Sequence, residues 1–197
     1  MMYTRFLLFL TLISFNTKAQ QSYTDSIQAF INDYKLNHGV VKKQDKQYLQ
    51  FFPIDENSKV KAIFEPVKNA EWFNLPTSSG RTKMYRQYGK LSFLYKGSMQ
   101  VLYVYQSQAL LQDPKHIDHL FLPFTDLTTG KESYETGRYI DLTVSDIKGN
   151  QITVDFNKAY NPYCAYVTGI YSCPIPPKEN RLGIAVRAGE KKYLKEH

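Results

Sequence analysis

The spacing of apolar positions changes sharply at Gly39. Before it, Tyr23, Ile27, Phe30, Ile31 and Tyr34 recur at intervals of 4, 3, 1 and 3, one face of a helix with about 3.6 residues per turn. The spacing predicts a helix over Ser22 to His38. Ser22 or Thr24 can cap its start, and Gly39 can end it in the left-handed conformation. After Gly39 the runs shorten. Tyr48–Phe52 and Val60–Phe64 read as strands, broken by Pro53, Asp55-Glu56-Asn57 and Pro66. Thr82–Tyr88, Lys90–Tyr95 and Ser98–Tyr105 are separated only by Gly89 and Lys96-Gly97, which predicts a meander of tight hairpins. His119–Phe124 is a further strand. Tyr139–Ile147 and Gln151–Phe156 flank Lys148-Gly149-Asn150, another expected hairpin, and Gly183–Ala188 reads as a last strand. The total is about nine or ten short strands and one early helix. So many strands must hide their edges. The expected fold is therefore mainly β: a small antiparallel barrel or half-open barrel, with the N-terminal helix packed on it.

Composition agrees. Apolar residues make up 43% of the 197-residue chain, which excludes a disordered protein. The 16 Tyr and 12 Phe suit strands. Two cysteines are too few for a disulfide-dense mini-scaffold. No repeat, low-complexity tract or linker divides the chain, so residues 20–197 read as a single β-rich domain.

The start of the chain reads as an address. Arg5 precedes the apolar run Phe6–Phe15, followed by Asn16-Thr17-Lys18-Ala19. A cationic start, a short apolar stretch and a small residue before a cut make a secretory signal over 1–19. The run is shorter than the roughly 20 residues a membrane span needs, and no later segment reaches that length. The chain is thus expected to be exported, to the periplasm or the extracellular space. Loss of Arg5 and Lys18 would lower the net charge from +7 to +5. That balance is ordinary for solubility, and it also suits anionic lipid or glycan surfaces. Tyr-Lys interleaving from Lys83 to Tyr105 has the composition of a nucleic-acid surface. Alternate Tyr is ordinary strand packing, however, and an exported chain seldom meets nucleic acid, so no such partner is expected.

Two segments carry more turn residues and polar groups than connectors need. One runs Pro123-Phe124-Thr125-Asp126 through Gly130, Ser133-Tyr134 and Gly137-Arg138-Tyr139. The other contains Asp155-Phe156-Asn157, Ala159-Tyr160-Asn161-Pro162, Cys164-Ala165, Cys173-Pro174, Pro176-Pro177, Glu179-Asn180, Leu182 and Ala188-Gly189-Glu190. In this order they resemble the signature of domain-of-unknown-function family 1684, with Ser133 where Thr is usual. The likeness extends upstream through Phe51–Asp55 and Tyr88–Phe93, although Trp72 is the only Trp. The resemblance implies a fold and a signature, and no stated activity.

Read physically, Asp126, Arg138, Asp155, Glu179, Arg181 and Glu190 are two cations and four carboxylates. If they meet, they can lock loops by charge-assisted hydrogen bonds, or form a pocket whose Arg grips an anionic group while a carboxylate acts as base. Asn157, Asn161 and Asn180 favour turns, and the prolines stiffen a segment that would plug or rim a barrel end. Cys164 and Cys173 read first as a disulfide. Thiolates joining His116 and His119 on a metal, or a nucleophilic Cys164, are the other readings, but neither has the spacing or neighbouring base its chemistry needs. There is no GxSxG, GxxxxGK, HExxH or GxGxxG motif, and no metal or cofactor is expected. The leading expectation is a module binding a small molecule or glycan. Its ligand residues would be drawn from Asp126, Arg138, Asp155, Asn157, Tyr160, Asn161, Glu179, Asn180 and Arg181. The alternatives are a hydrolase using Asp155 or Glu179 beside Arg138, and a structural envelope protein with no site.

Overall fold

The structure, a computed structural model, describes the backbone of residues 3–195 and the side chains of residues 20–195. The expected leader, 1–19, lies outside the residues whose side chains are described. Helix α1 (Tyr3–Asn37) turns the expected stripe inward: Ile27 and Ile31 are buried, and Tyr23, Phe30 and Tyr34 partly so. It does not end on a left-handed glycine. His38 closes the last turn instead, its Nδ1 accepting from the N–H groups of Val40 and Val41 at 3.2 and 2.9 Å. Gly39 leaves room for Tyr163, whose hydroxyl would lie 3.3 Å from an added Cβ.

Seven strands follow among the described residues: β1 (Lys59–Pro66), β2 (Phe73–Pro76), β3 (Thr82–Tyr95), β4 (Ser98–Ser107), β5 (His119–Phe124), β6 (Arg138–Thr143) and β7 (Gln151–Asp155). They pair antiparallel in the order β6-β5-β4-β3-β1-β7, with β2 beside β3. The two edge strands, β6 and β7, are consecutive in the chain, so one short link joins the sheet's opposite edges. The sheet therefore curls into an open half-barrel, with α1 packed on it.

Alternation places Ala62, Leu91, Phe93, Leu102, Val104, Leu120, Leu122, Ile140, Ile152 and Val154 on the concave face. An open sheet cannot cover that face by itself. The C-terminal strap covers it by inserting Leu182, Val186 and Ala188 into the same core. On the convex face, Leu75, Tyr85, Tyr105, Phe121 and Tyr139 form a second cluster.

Several local expectations differ in instructive ways. Gly89 is not a hairpin turn: Thr82–Tyr95 is one long strand with a bulge between Gln87 and Gly89. A Cβ at Gly89 would lie 2.1 Å from the Phe64 ring, so the glycine admits a close approach. Lys96-Gly97, with φ of 48° and 79°, is the true turn. The expected hairpin across Lys148–Asn150 keeps its local turn, but its strands diverge, β6 pairing with β5 and β7 with β1. Tyr48–Phe52 follows a 3-10 turn (Lys43–Tyr48) and contributes only a bridge from Phe51 to Glu190. Gly183–Ala188 forms no strand, because its alternating apolar residues fill the half-barrel rather than join its edge.

Candidate functional site

A strap that crosses a core without joining a sheet brings in carbonyl oxygens with no strand to donate to them. Unpaired buried carbonyls are costly. Arg138 supplies the donors. It opens β6 opposite Phe124 and is 0% exposed. Its Nη1 donates to the carbonyls of Ala188 (2.5 Å) and Glu190 (3.2 Å), and its Nη2 to that of Val186 (2.8 Å). Nη2 also meets Asp126 Oδ2 at 2.8 Å, in an ion pair buried on both sides. The Phe124 and Phe52 rings flank the guanidinium, at 5.2 and 5.7 Å. The other Asp126 oxygen accepts from the N–H groups of Thr128 and Val186. Arg138 is a suitable residue because its planar fork serves several acceptors at once.

Glu190 forms the other half of this knot. It follows Gly189, which sits at φ +77° and where a Cβ would lie 2.6 Å from two carbonyl oxygens. Its Oε2 accepts from the Tyr166 hydroxyl (2.7 Å), the Asn161 N–H (2.9 Å) and the Tyr34 hydroxyl of α1 (3.1 Å). One buried guanidinium faces two buried carboxyls here, and Asp126 already pairs with it. Burial pushes the Glu190 pKa up to about 7, against the opposing influence of its three donors and of Arg138. Burial likewise raises the Tyr34 and Tyr166 phenols, and Glu190 adds to both shifts. Four buried polar atoms in this region have no hydrogen-bond partner: Glu190 Oε1, Asn161 Oδ1, Arg138 Nε, and Nε2 of His38, whose ring packs edge-on against Tyr34 and Tyr166.

The remaining predicted residues fall into other groups. Asp155 and Asn157 form an anchor on Tyr23, about three turns before Tyr34 in α1. Both Asp155 oxygens accept from the Tyr23 hydroxyl at 3.0 Å, and Asn157 bonds Asp155 and the backbone of Asp55 in both directions. Tyr23 and Tyr34 lie about 16 Å apart along a helix, so Asp155 does not share a centre with Glu190 and Asn161. Asn180 wedges between β4 and β5, which pair only at Tyr105 and Phe121. Its amide bonds Tyr103 N and O and Pro123 O, taking the place of a peptide group. Tyr160 extends the β6 edge through Tyr139, and its hydroxyl donates to Asp141. Arg181 is exposed and bridges Thr125 through its backbone. Glu179 is exposed too. Its Oε1 accepts from Gln87 Nε2 and the Tyr105 hydroxyl, both at 3.0 Å, and it lines a groove of about 440 Å³ with Val67, Asn69, Ala70, Glu71, Phe73 and Gln87.

Cys164 and Cys173 form a disulfide with Cα atoms 6.3 Å apart, so neither is a thiolate ligand or nucleophile. His116 and His119 bond Asp113 and Asp141 respectively. Among the described residues, no helix is long and apolar enough to cross a membrane.

In the sequence Glu190 is one charge among six, and nothing local marks Tyr34 or Tyr166 as polar partners. The available signal is an acid directly after a turn glycine, at the end of the alternating run Gly183–Ala188. Tyr34 was hidden by its place in an apolar stripe, where its ring packs and its hydroxyl works.

These features define a class: an open antiparallel half-barrel, filled by its own C-terminal strap and held by buried polar anchors. Residues 45–191 match the family described as "Protein of unknown function (DUF1684)", and the chain belongs to that family. It is also similar to the solution NMR structure of an uncharacterized protein of Haloarcula marismortui. That likeness has 31% identity and a TM-score of 0.65, and covers 91% of this chain and 99% of the other. No curated protein matches.

Proposed function

We propose that this is a non-catalytic, structural component of the cell envelope, and that its signature residues brace the fold rather than form a reactive centre. The observation that carries this reading is the complete burial of Arg138, whose Nη atoms serve the chain's own carbonyls and Asp126. A hydrolase of the kind expected would need Asp155 or Glu179 beside that guanidinium. Asp155 is instead committed to Tyr23 and Asn157, and Glu179 to Gln87 and Tyr105. Export is supported by Arg5, the Phe6–Phe15 run and Ala19. N-terminal sequencing of protein recovered from the envelope fraction of an expressing host tests it.

The brace is tested by removing the ion pair in two ways. Arg138→Met strands a buried Asp126 charge and is expected to cost about 3–5 kcal/mol. Asp126→Leu with Arg138→Met removes both charges and recovers part of that loss. Unchanged stability in Arg138→Met refutes the brace. A stable double variant that loses hydrolytic activity found in the wild type restores the enzyme reading.

A binding role is favoured by a separate observation. Of the candidate carboxylates Asp126, Asp155 and Glu179, only Glu179 is exposed, and it lines the groove. On this reading a small molecule or glycan seats there. A thermal-shift screen with oligosaccharides, wild type against Glu179→Gln, decides it, and equal shifts or none remove its support.

A further inference from the structure

We propose that the outward face of β1, β3 and β4 docks this protein on a bilayer surface bearing anionic phospholipid headgroups. The inference rests on the envelope reading for the supply of such a surface, and not on the brace. In an antiparallel sheet covered on one face, residues facing outward are normally polar. Here Ile63, Leu94, Met99 and Val101 point outward and are 50, 61, 65 and 38% exposed. Their strand neighbours Ala62, Phe93 and Leu102 face the core.

The register puts the four side by side. Ile63 stands opposite Ser92, and Ser92 opposite Val101, which makes one rung across three strands. Leu94 stands opposite Met99 on the next rung of the same face. Partners across a rung lie about 5 Å apart, and same-face neighbours along a strand about 7 Å apart, so the aliphatic groups form one patch. Elsewhere the convex face is covered, around Tyr85, Tyr105 and Tyr139; here the covering stops.

The rim selects the occupant. Lys61 is the next outward residue of β1, and Lys148 lies in the turn before Gln151, which stands opposite Ile63; Lys96, in the β3–β4 turn, is instead turned to the Ala185 carbonyl of the strap. The outward positions of β1, β3 and β4 carry one acid, Glu65, and Lys90 pairs with it at 3.1 Å. Lysines around an apolar centre complement anionic headgroups above acyl chains, the arrangement by which peripheral proteins hold a bilayer. The net charge, +7 for the full chain and +5 without Arg5 and Lys18, acts in the same direction. A second copy would oppose lysine to lysine across the same patch.

The test is co-sedimentation of the purified protein with vesicles of phosphatidylglycerol and phosphatidylcholine, and of phosphatidylcholine alone. Binding is expected to the anionic vesicles only. Leu94→Asp with Met99→Asp should lower it about tenfold or more, and so should Lys61→Glu with Lys148→Glu, with melting temperature unchanged. These positions are exposed, so the variants fold, and they leave the N-terminal residues identical to the wild type. Absence of binding, or equal binding by wild type and both variants, overturns the proposal. So does a dimer in sedimentation that Leu94→Asp with Met99→Asp abolishes, because the face then belongs to a second copy. N-terminal sequencing reads export separately: export without vesicle binding refutes the docking face and leaves the envelope reading standing.

Discussion

Replacing Glu190 by Gln should change the pH dependence of stability by an amount set by charge neutrality in the core. Arg138 is one buried cation and Asp126 its direct partner, so an ionised Glu190 would leave the knot with an uncompensated negative charge. Burial accordingly holds the Glu190 pKa at about 7, against 4.5 in the unfolded chain. The folded state keeps this proton to higher pH than the unfolded state does. The resulting stability is intact below about pH 4.5 and is lost as pH rises through 7. With these two values, linkage gives a loss of about 2.5 kcal/mol between pH 5 and 8. His38 acts in the opposite sense. Burial pushes its pKa down to about 4, so its contribution is present above 6.5 and is lost as pH falls through 4. The wild-type profile alone therefore mixes the two, and the difference between wild type and Glu190→Gln isolates Glu190. Gln keeps a carbonyl oxygen for Tyr34, Tyr166 and the Asn161 N–H, and it cannot ionise. Urea unfolding at half-unit steps from pH 5 to 8 should show the variant gaining on the wild type by about 2.5 kcal/mol across the range. A pH-independent difference would refute the argument that the knot tolerates only one negative charge.

Three further outcomes follow from contacts already described. Reducing the Cys164–Cys173 disulfide, or replacing both cysteines by Ser, should lower stability by about 2–3 kcal/mol by the chain-entropy estimate for a loop this short; urea midpoints unchanged by reductant contradict it. Gly89→Ala drives a methyl into the Phe64 ring and should cost about 1–3 kcal/mol, with much of the loss restored in Phe64→Leu, and strict additivity of the two changes would show that the ring is not the obstacle. Asn180→Leu leaves the peptide groups of Tyr103 and Pro123 without their partner and should cost about 2–4 kcal/mol, with faster amide exchange at Tyr103 as the local readout; protection equal to wild type there removes the wedge from the explanation.

What the sequence disclosed, and what it concealed, follows the range of the physics involved. The α1 stripe was legible because the helix period acts within one turn, and burial of Ile27 and Ile31 follows from it. The Lys96-Gly97 turn was legible because a two-residue turn between alternating strands is local chemistry. Gly89 looked the same in sequence, yet its cause is Phe64, 25 residues earlier on another strand. Lys148–Asn150 made its turn as read, but which strand β7 joins is decided by β1, nearly a hundred residues upstream. Of the site candidates, the pairing of Asp126 with Arg138 and of Cys164 with Cys173 matches the two sequence readings that named a charge lock and a disulfide. The gathering of Glu190 with Tyr34 and Tyr166 has only the acid after Gly189 as a local sign, since the three come from the helix, a loop and the strap.

The density of polar turn residues that makes this C-terminal half look like a ligand pocket has a common origin in backbone accounting. A half-barrel filled by a strap gains apolar contact but leaves peptide groups that no ladder can pair. Each anchor answers one such deficit. Arg138 donates to the strap carbonyls of Val186, Ala188 and Glu190. Asp126 accepts from Val186 N–H. Asn180 stands in for a peptide between β4 and β5, and Asn157 for one beside Asp55. Glu190 takes the Asn161 N–H, while Asn161 donates to the Lys191 carbonyl. Amides, carboxylates and a guanidinium are also the groups that grip a ligand, because a ligand offers the same donors and acceptors that a peptide does. In this fold a partner they grip is the chain's own backbone, and the second oxygen of Glu179 and the aliphatic rungs of β1, β3 and β4 are groups that backbone accounting does not use.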